Sequence, residues 1–207
     1  MRKLLHLVTV LTFLGFVGCS ALNGARSVPA YDRSCKAGHG CVFGQAWSDD
    51  VNVEGGHNGC DTRNDLLKSS LRDVQIKPGT LGCVVLAGKL TDPYSGTEAV
   101  FNKARAAEVQ VDHVWPLAQA WRRGAAHWPL QSRVDLANDP VNLIVTTASV
   151  NRNKSDKMPG DWSPSSATGR CLYVDRFRRV AEKYRLEVTM SERASLLWIG
   201  RGCPSRP

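Results

Sequence analysis

The sequence predicts a single α+β domain stapled by disulfides, and three observations carry that prediction. Once a short apolar leader is set aside, under 190 residues remain, enough for one well-formed core. The segments run helix, strand, turn, strand, loop, strand and then three helices, so the strands precede most of the helices. With Cys19 either lost or lipidated on processing, six cysteines remain, Cys35, Cys41, Cys60, Cys83, Cys171 and Cys203, an even set of the kind exported chains oxidise.

The leader is residues 1–18: Arg2 and Lys3, then an apolar run from Leu4 to Val17, too short to span a bilayer stably. Phe16-Val17-Gly18-Cys19 is similar to a bacterial lipobox, which would lipidate Cys19 and attach the chain to the outer face of a bacterial membrane. Ordinary cleavage, after Ala21 for instance, is the other route and would release it. Residues 19–59 are expected to form a tether and an N-terminal loop region, with residues 48–59 exposed, and residues 60–207 the folded domain.

Leu66, Leu67, Leu71 and Val74 recur at helical spacing, and Asp61 or Thr62 offers an N-cap, so a helix is expected from Asp61 to Val74, ended by Lys77-Pro78-Gly79. Leu81 to Leu90 is β-like, and Asp92-Pro93-Tyr94-Ser95-Gly96 is a turn. Glu108 to Val114 alternates Val109, Val111 and His113 with Gln110 and Asp112, as a half-buried strand does. A short helix near Leu117, Ala118 and Trp121 and a connecting loop lead to a second strand, Val141 to Thr147, and a helix from Ser149 to Lys157. Tyr173, Phe177, Val180, Ala181 and Tyr184 form one helical stripe, and Thr189 with Glu192 makes a capping box for a last helix.

Locality pairs Cys35 with Cys41, Cys60 with Cys83 and Cys171 with Cys203, while a structural zinc site from Cys35, His39, Cys41, His57 and Cys60 is the competing arrangement. Residues 19–111 hold ten basic and ten acidic side chains, whereas residues 112–207 hold fifteen and nine. The excess positive charge therefore lies in one half, where it would attract a polyanion.

That half also carries Asp112-His113, Asn142 and Asn151-Arg152-Asn153-Lys154-Ser155-Asp156. Phosphodiester hydrolysis needs a deprotonated water and something to absorb charge on the phosphoryl and leaving oxygens. His113 titrates in the right range to be the base. Asp112 and Asn151 supply hard oxygens suited to one divalent ion, Mg²⁺ or Mn²⁺. Lys154, three residues after Asn151, is placed to contact a phosphate, and Asn142 is placed to bridge the connecting loop and brace the hairpin that aims His113. Strict alternation would send Asp112 and His113 to opposite faces, so the ion is expected at the strand end.

These segments resemble the HNH nucleases. Asp112-His113-Val114-Trp115-Pro116 is similar to their Asp-His-Ile-Val-Pro segment, Asn142-Leu143 to the central Asn, and residues 151–156 to an Asn-Arg-x-Lys-Ser-Asp run. More widely, Cys60-Asp61-Thr62-Arg63-Asn64, Asp92-Pro93-Tyr94-Ser95-Gly96 and Asp112-His113-Val114-Trp115-Pro116-Leu117-Ala118 resemble exported members related to the C-terminal part of GmrSD restriction enzymes. The resemblance implies a ββα-metal hairpin-helix core and an endonuclease, with Asp112 and Asn151 on the metal, His113 as base and Asn142 as the structural middle member. It implies a nucleic acid substrate, DNA foremost, and implies nothing of a protein partner.

Without a zinc finger or helix-turn-helix, broad specificity is expected. His39, His57 and His127 are expected to be exposed, the tryptophans near the motif to pack rather than stack on bases, and Arg63, Arg176, Arg178 and Arg179 to be surface residues. The rival function is a non-catalytic, surface-anchored binder of nucleic acid or another polyanion.

Overall fold

In the computed structural model, residues 27–32 and 41–204 are described. The leader, the lipidation and cleavage sites, Cys35 and His39 lie outside the described residues. Among those described, no helix is long and apolar enough to cross a membrane.

Helix α1, Thr62–Ser70, begins where Asp61 accepts a hydrogen bond from the Asn64 N–H, the capping role expected of it. It stops before the expected Val74. Leu71 is extended (φ −94, ψ 149), and Arg72–Ile76 forms β1, antiparallel to β2, Val85–Thr91. Tertiary pairing overrides local spacing here, because Gly88 of β2 lets Leu71 pack so closely that an added Cβ would lie 2.9 Å from the Leu71 Cβ. The Asn64 carboxamide accepts from the Val85 N–H, and the Cys60–Cys83 disulfide closes the same corner. Strand β3, Glu98–Asn102, completes a meander in the order β1-β2-β3.

The second sheet pairs β4, Val109–His113, with β5, Leu143–Thr147, antiparallel, with Asp112 opposite Ile144 and His113 opposite Leu143. The connection holds α2, Leu117–Arg122, and α3, Leu130–Asn138. The second of these was expected to be loop. Helix α4, Ala148–Lys154, follows β5 at once, giving the ββα order. Helices α5, Ala167–Tyr184, and α6, Met190–Ile199, complete the chain, and the capping box of Thr189 and Glu192 is formed.

Two apolar clusters flank the hairpin. Leu67, Val85, Leu90, Phe101, Val109, Val111, Leu143 and Val145 are buried between α1, the meander and the hairpin. Trp115, Tyr94, Tyr173, Phe177, Val180 and Leu196 are buried under α5 and α6, with the Trp115 and Phe177 rings stacked 4.4 Å apart. The tryptophan at position 115 is thus a packing residue. Cys171–Cys203 links α5 to the end of α6. With Cys60 bonded to Cys83 and Cys41 also in a disulfide, the zinc arrangement loses its thiolates. The Cys35 to Cys41 pairing itself lies outside the described residues.

Residues 48–59 are mostly exposed, as expected, but Val51 is buried. The segment just before them is docked firmly. Phe43 is buried against Trp121, the Val42 carbonyl accepts from Arg133, and Thr62 donates to the Ser48 carbonyl. At Gly44 (φ +73) a Cβ would meet the Val134 side chain at 2.3 Å, so both conformation and space demand glycine there.

Candidate active site

Strand β4 obeys period two, and this divides the site. Gln110 and Asp112 face α4, whereas Val109 and Val111 pack into the apolar cluster on the other face and His113 follows them. On the α4 face, Asp112 is buried: its Oδ1 accepts from Lys154 Nζ at 2.9 Å and its Oδ2 from the Tyr94 hydroxyl at 2.8 Å. Burial pushes the Asp112 carboxyl up from its ordinary value, and the Lys154 ammonium and Tyr94 hydroxyl oppose the rise. Burial, with Asp112 alongside, also holds the Tyr94 hydroxyl protonated.

Lys154 is fully buried, and its Nζ also donates to the His113 carbonyl at 2.7 Å. The expectation of a phosphate-contacting lysine on an exposed helix face thus meets a different placement. Beside a buried carboxylate, an ammonium is most stable as its counter-ion.

His113 Nε2 lies 2.9 Å from the Ala137 carbonyl oxygen at the C-terminal end of α3. A carbonyl only accepts, so this contact places the proton on Nε2 and leaves the Nδ1 lone pair for a water. The Trp47 indole lies parallel to the imidazole, 6.1 Å between centroids and 9° between planes. Desolvation lowers the His113 pKa to about 4, against a smaller upward pull from the Ala137 bond. The ring is therefore neutral at ordinary pH, the state a general base requires.

Asn142 is fully buried. Its Oδ1 accepts from the Trp115 N–H at 2.8 Å and its Nδ2 donates to the Leu136 carbonyl at 3.2 Å. One side chain thus joins the segment just after His113 to the residue just before Ala137, the partner of the imidazole.

Asn151 Nδ2 donates to Gln110 Oε1 at 2.8 Å, which leaves the Asn151 Oδ1 as its other end. Gln110, Asp112, His113, Asn151, Arg152 and Trp47 all border one cavity of about 520 Å³. Ser155, at the end of α4, has φ +52 and ψ −133, a strained conformation for a residue with a side chain and one that clusters at functional sites.

Sequence reasoning missed Tyr94, Gln110, Trp47 and the Ala137 carbonyl. Alternation already set Gln110 beside Asp112, so that signal was available, but nothing local marked Trp47. The turn bearing Tyr94 is also a structural support. Asp92 Oδ2 accepts from Thr146 Oγ1, Thr147 Oγ1 and the Thr147 N–H, and Gly169 of α5 approaches so near that a Cβ would lie 2.3 Å from the Pro93 carbonyl. Two arginines expected at the surface are structural. Arg63 donates to the carbonyls of Ala106 and Val109, and Arg176 to those of Pro140 and Leu143. Arg178 and Arg179 are exposed as expected, and so are His57 and His127.

Among the described residues no group of three or more His, Cys, Asp or Glu could hold a metal ion. The donor set is thinner: the carboxylate of Asp112 and the carboxamide of Asn151 on one cavity. Each carboxylate oxygen keeps lone-pair capacity beside its existing bond. One carboxylate with one carboxamide fits an ion that retains most of its waters, as Mg²⁺ does.

The family of GmrSD restriction endonucleases, C-terminal domain, matches residues 61–198. An uncharacterized secreted protein of Arthroderma benhamiae is 34% identical over 139 residues, which are 66% of this chain and 65% of that protein. This chain thus spans just under two thirds of the relative's length. No solved structure matches. The matched family span contains Tyr94, Gln110, Asp112, His113, Asn142, Asn151 and Lys154, whereas Trp47 precedes it. The chain belongs to the family of GmrSD restriction endonuclease C-terminal domains.

Proposed function

We propose that the protein is an exported, divalent-metal-dependent endonuclease that hydrolyses phosphodiester bonds of nucleic acid, DNA foremost, with low sequence specificity. The observation that carries this reading is His113, held through Nε2 by the Ala137 carbonyl and bordering the cavity that Asp112 and Asn151 also border. Nδ1 takes the proton of a water, and the Ala137 carbonyl steadies the imidazolium that forms. Asp112 and Asn151 would hold the ion, and Gln110 orients the Asn151 carboxamide. A bound Mg²⁺ or Mn²⁺ supplies charge stabilisation at the phosphoryl and leaving oxygens. Asn142 keeps the two segments that aim His113 in register. Lys154 acts on Asp112 and the His113 carbonyl as a positioning residue rather than on the substrate.

Exposed Arg152 borders the cleft and can meet the nucleic acid backbone. Two disulfides and the secreted relative support export, and a lipidated Cys19 would retain the protein at the outer face of a bacterial membrane. Nicking of supercoiled plasmid by the purified protein with Mg²⁺, with and without chelator and beside His113→Ala, tests the proposal. Wild type should nick only with the ion, and His113→Ala should lose activity by two or more orders of magnitude, about the contribution of a general base. Equal nicking by His113→Ala refutes the mechanism, and inertness of wild type with every divalent ion favours a non-catalytic polyanion binder.

A further inference from the structure

We propose that the outward face of α6 is a docking surface for an anionic lipid bilayer, resting in its headgroup layer without crossing it. The inference is independent of the endonuclease reading, and its test needs no nucleic acid.

Helix α6, Met190–Ile199, turns Glu192, Leu196 and Ile199 inward, and all three are buried. Helical periodicity puts Met190, Ala194, Leu197 and Trp198 on the opposite side. There Met190 is 81% exposed, Leu197 66% and Trp198 61%, and Ala194 is exposed as well. With a rise of about 1.5 Å per residue, Met190 and Leu197 mark out an apolar stripe about 10 Å long. A helix that is apolar all round normally lies buried. In α6 one apolar face packs on the core, and the other has no cover among the described residues.

That face is presented rigidly. The capping box of Thr189 and Glu192 fixes the start of the helix, Arg123 grips both Glu192 carboxylate oxygens, at 2.8 and 2.6 Å, and Cys171–Cys203 ties down the chain just past its end. The stripe therefore cannot fold inward to hide its own side chains.

Charge selects the occupant. Arg193 and Arg201 lie on the same outward side, and both are exposed. Arg193 gives its Nε to the Val188 carbonyl, and the single carboxylate of α6, Glu192, is already paired with Arg123. The result is an apolar stripe edged by guanidinium groups with no free carboxylate, the pattern of a helix lying on an anionic membrane. The amphipathic indole of Trp198 suits the headgroup level. A second copy of the chain packed face to face would bring together two arginines from each copy and no carboxylate to balance them. A nucleic acid backbone would satisfy the arginines but set Met190 and Leu197 against phosphate.

Vesicle cosedimentation tests this with residues 22–207, the chain that cleavage after Ala21 leaves and one that carries no lipid. Phosphatidylcholine vesicles containing phosphatidylglycerol should bind it at least about tenfold tighter than phosphatidylcholine alone, and Arg193→Gln/Arg201→Gln should remove about fivefold per arginine. Leu197→Gln/Trp198→Gln should weaken binding to the anionic vesicles by about tenfold or more. Absence of binding to either vesicle overturns the inference, as does equal binding to both. Undiminished binding by Leu197→Gln/Trp198→Gln also overturns it, since another basic surface then makes the contact. If circular dichroism shows that double variant unfolded, Met190→Gln, at the most exposed position of the face, decides in its place, and undiminished binding again refutes the proposal. A dimer seen by sedimentation equilibrium without lipid, and dissolved by Leu197→Gln/Trp198→Gln, overturns the bilayer and assigns the face to a second copy.

Discussion

Replacing Lys154 by methionine should destabilise the protein far more than loss of a surface ion pair does. Lys154 is 0% exposed and Asp112 4%, so neither charge has water to fall back on once its partner is gone. Lys154→Met removes the 2.9 Å bond to Asp112 Oδ1 and the 2.7 Å bond to the His113 carbonyl. Breaking a buried pair from one side costs about 3–5 kcal/mol, whereas an exposed pair is worth at most about 1 kcal/mol. Urea denaturation of wild type, Lys154→Met, Asp112→Asn and the double variant gives the coupling directly. The double variant should be more stable than the summed single effects predict by at least about 2 kcal/mol, because neither charge is then stranded. The pH dependence gives a second reading. In the folded state burial raises the Asp112 pKa, and Lys154 is the largest influence opposing that rise, so removing the lysine raises it further. A carboxyl with a folded pKa above its unfolded value contributes stability at low pH and loses it as pH rises through the folded value. Lys154→Met should therefore be least destabilising in acid and most destabilising at neutral pH. A loss under about 1 kcal/mol, independent of pH, would show that the pair is solvated and refute the reasoning.

His113 has a folded pKa of about 4 against an ordinary value of 6.5. Between those values the unfolded chain binds more protons, so this residue's contribution to stability is complete above pH 6.5 and is lost as pH falls toward 4. Thermal melts of wild type and His113→Leu across that range should differ in slope with this sign, and parallel melts would contradict it. The initial rate of nicking should likewise rise with pH through the base's pKa and level off before neutrality. Asn142→Ala leaves the Trp115 N–H and Leu136 carbonyl without a buried partner, which should cost about 1–3 kcal/mol in denaturant titration. It should also lower kcat more than it raises KM, since it disturbs the aim of His113 rather than substrate contact.

What could be read in the sequence is what has a one-dimensional signature. The capping box of Thr189 and Glu192, the stripe through Tyr173 and Phe177, and the alternation of Val109 and Val111 are each patterns of a few residues, and each formed. Strand β1 buries little along its length, so it carries no clear alternation to read, and Val74 within it also fits the helical spacing that starts at Leu66. Helix α3 starts after Pro129 with no side-chain cap, which removes the usual start signal. The metal and base candidates were legible because their motif is contiguous. Their partners were not, since Tyr94 and Trp47 come to Asp112 and His113 from turns far away in sequence, and only tertiary packing brings them there.

Period two on β4 was the difficulty for a shared site, because it sends adjacent Asp112 and His113 to opposite faces. The fold keeps the alternation and still brings both residues to one cavity. On one face α4 presents Lys154 and Asn151 to Asp112 and Gln110, making a dry, charge-balanced support. On the other, the end of α3 and Trp47 hold a neutral His113. Asp112 and His113 nonetheless border the same cavity. Separation of the two residues has a chemical advantage. A histidine directly beside an exposed carboxylate would be drawn toward its protonated form. Here the charge of Asp112 is countered by Lys154, and the imidazole stays available to take a proton.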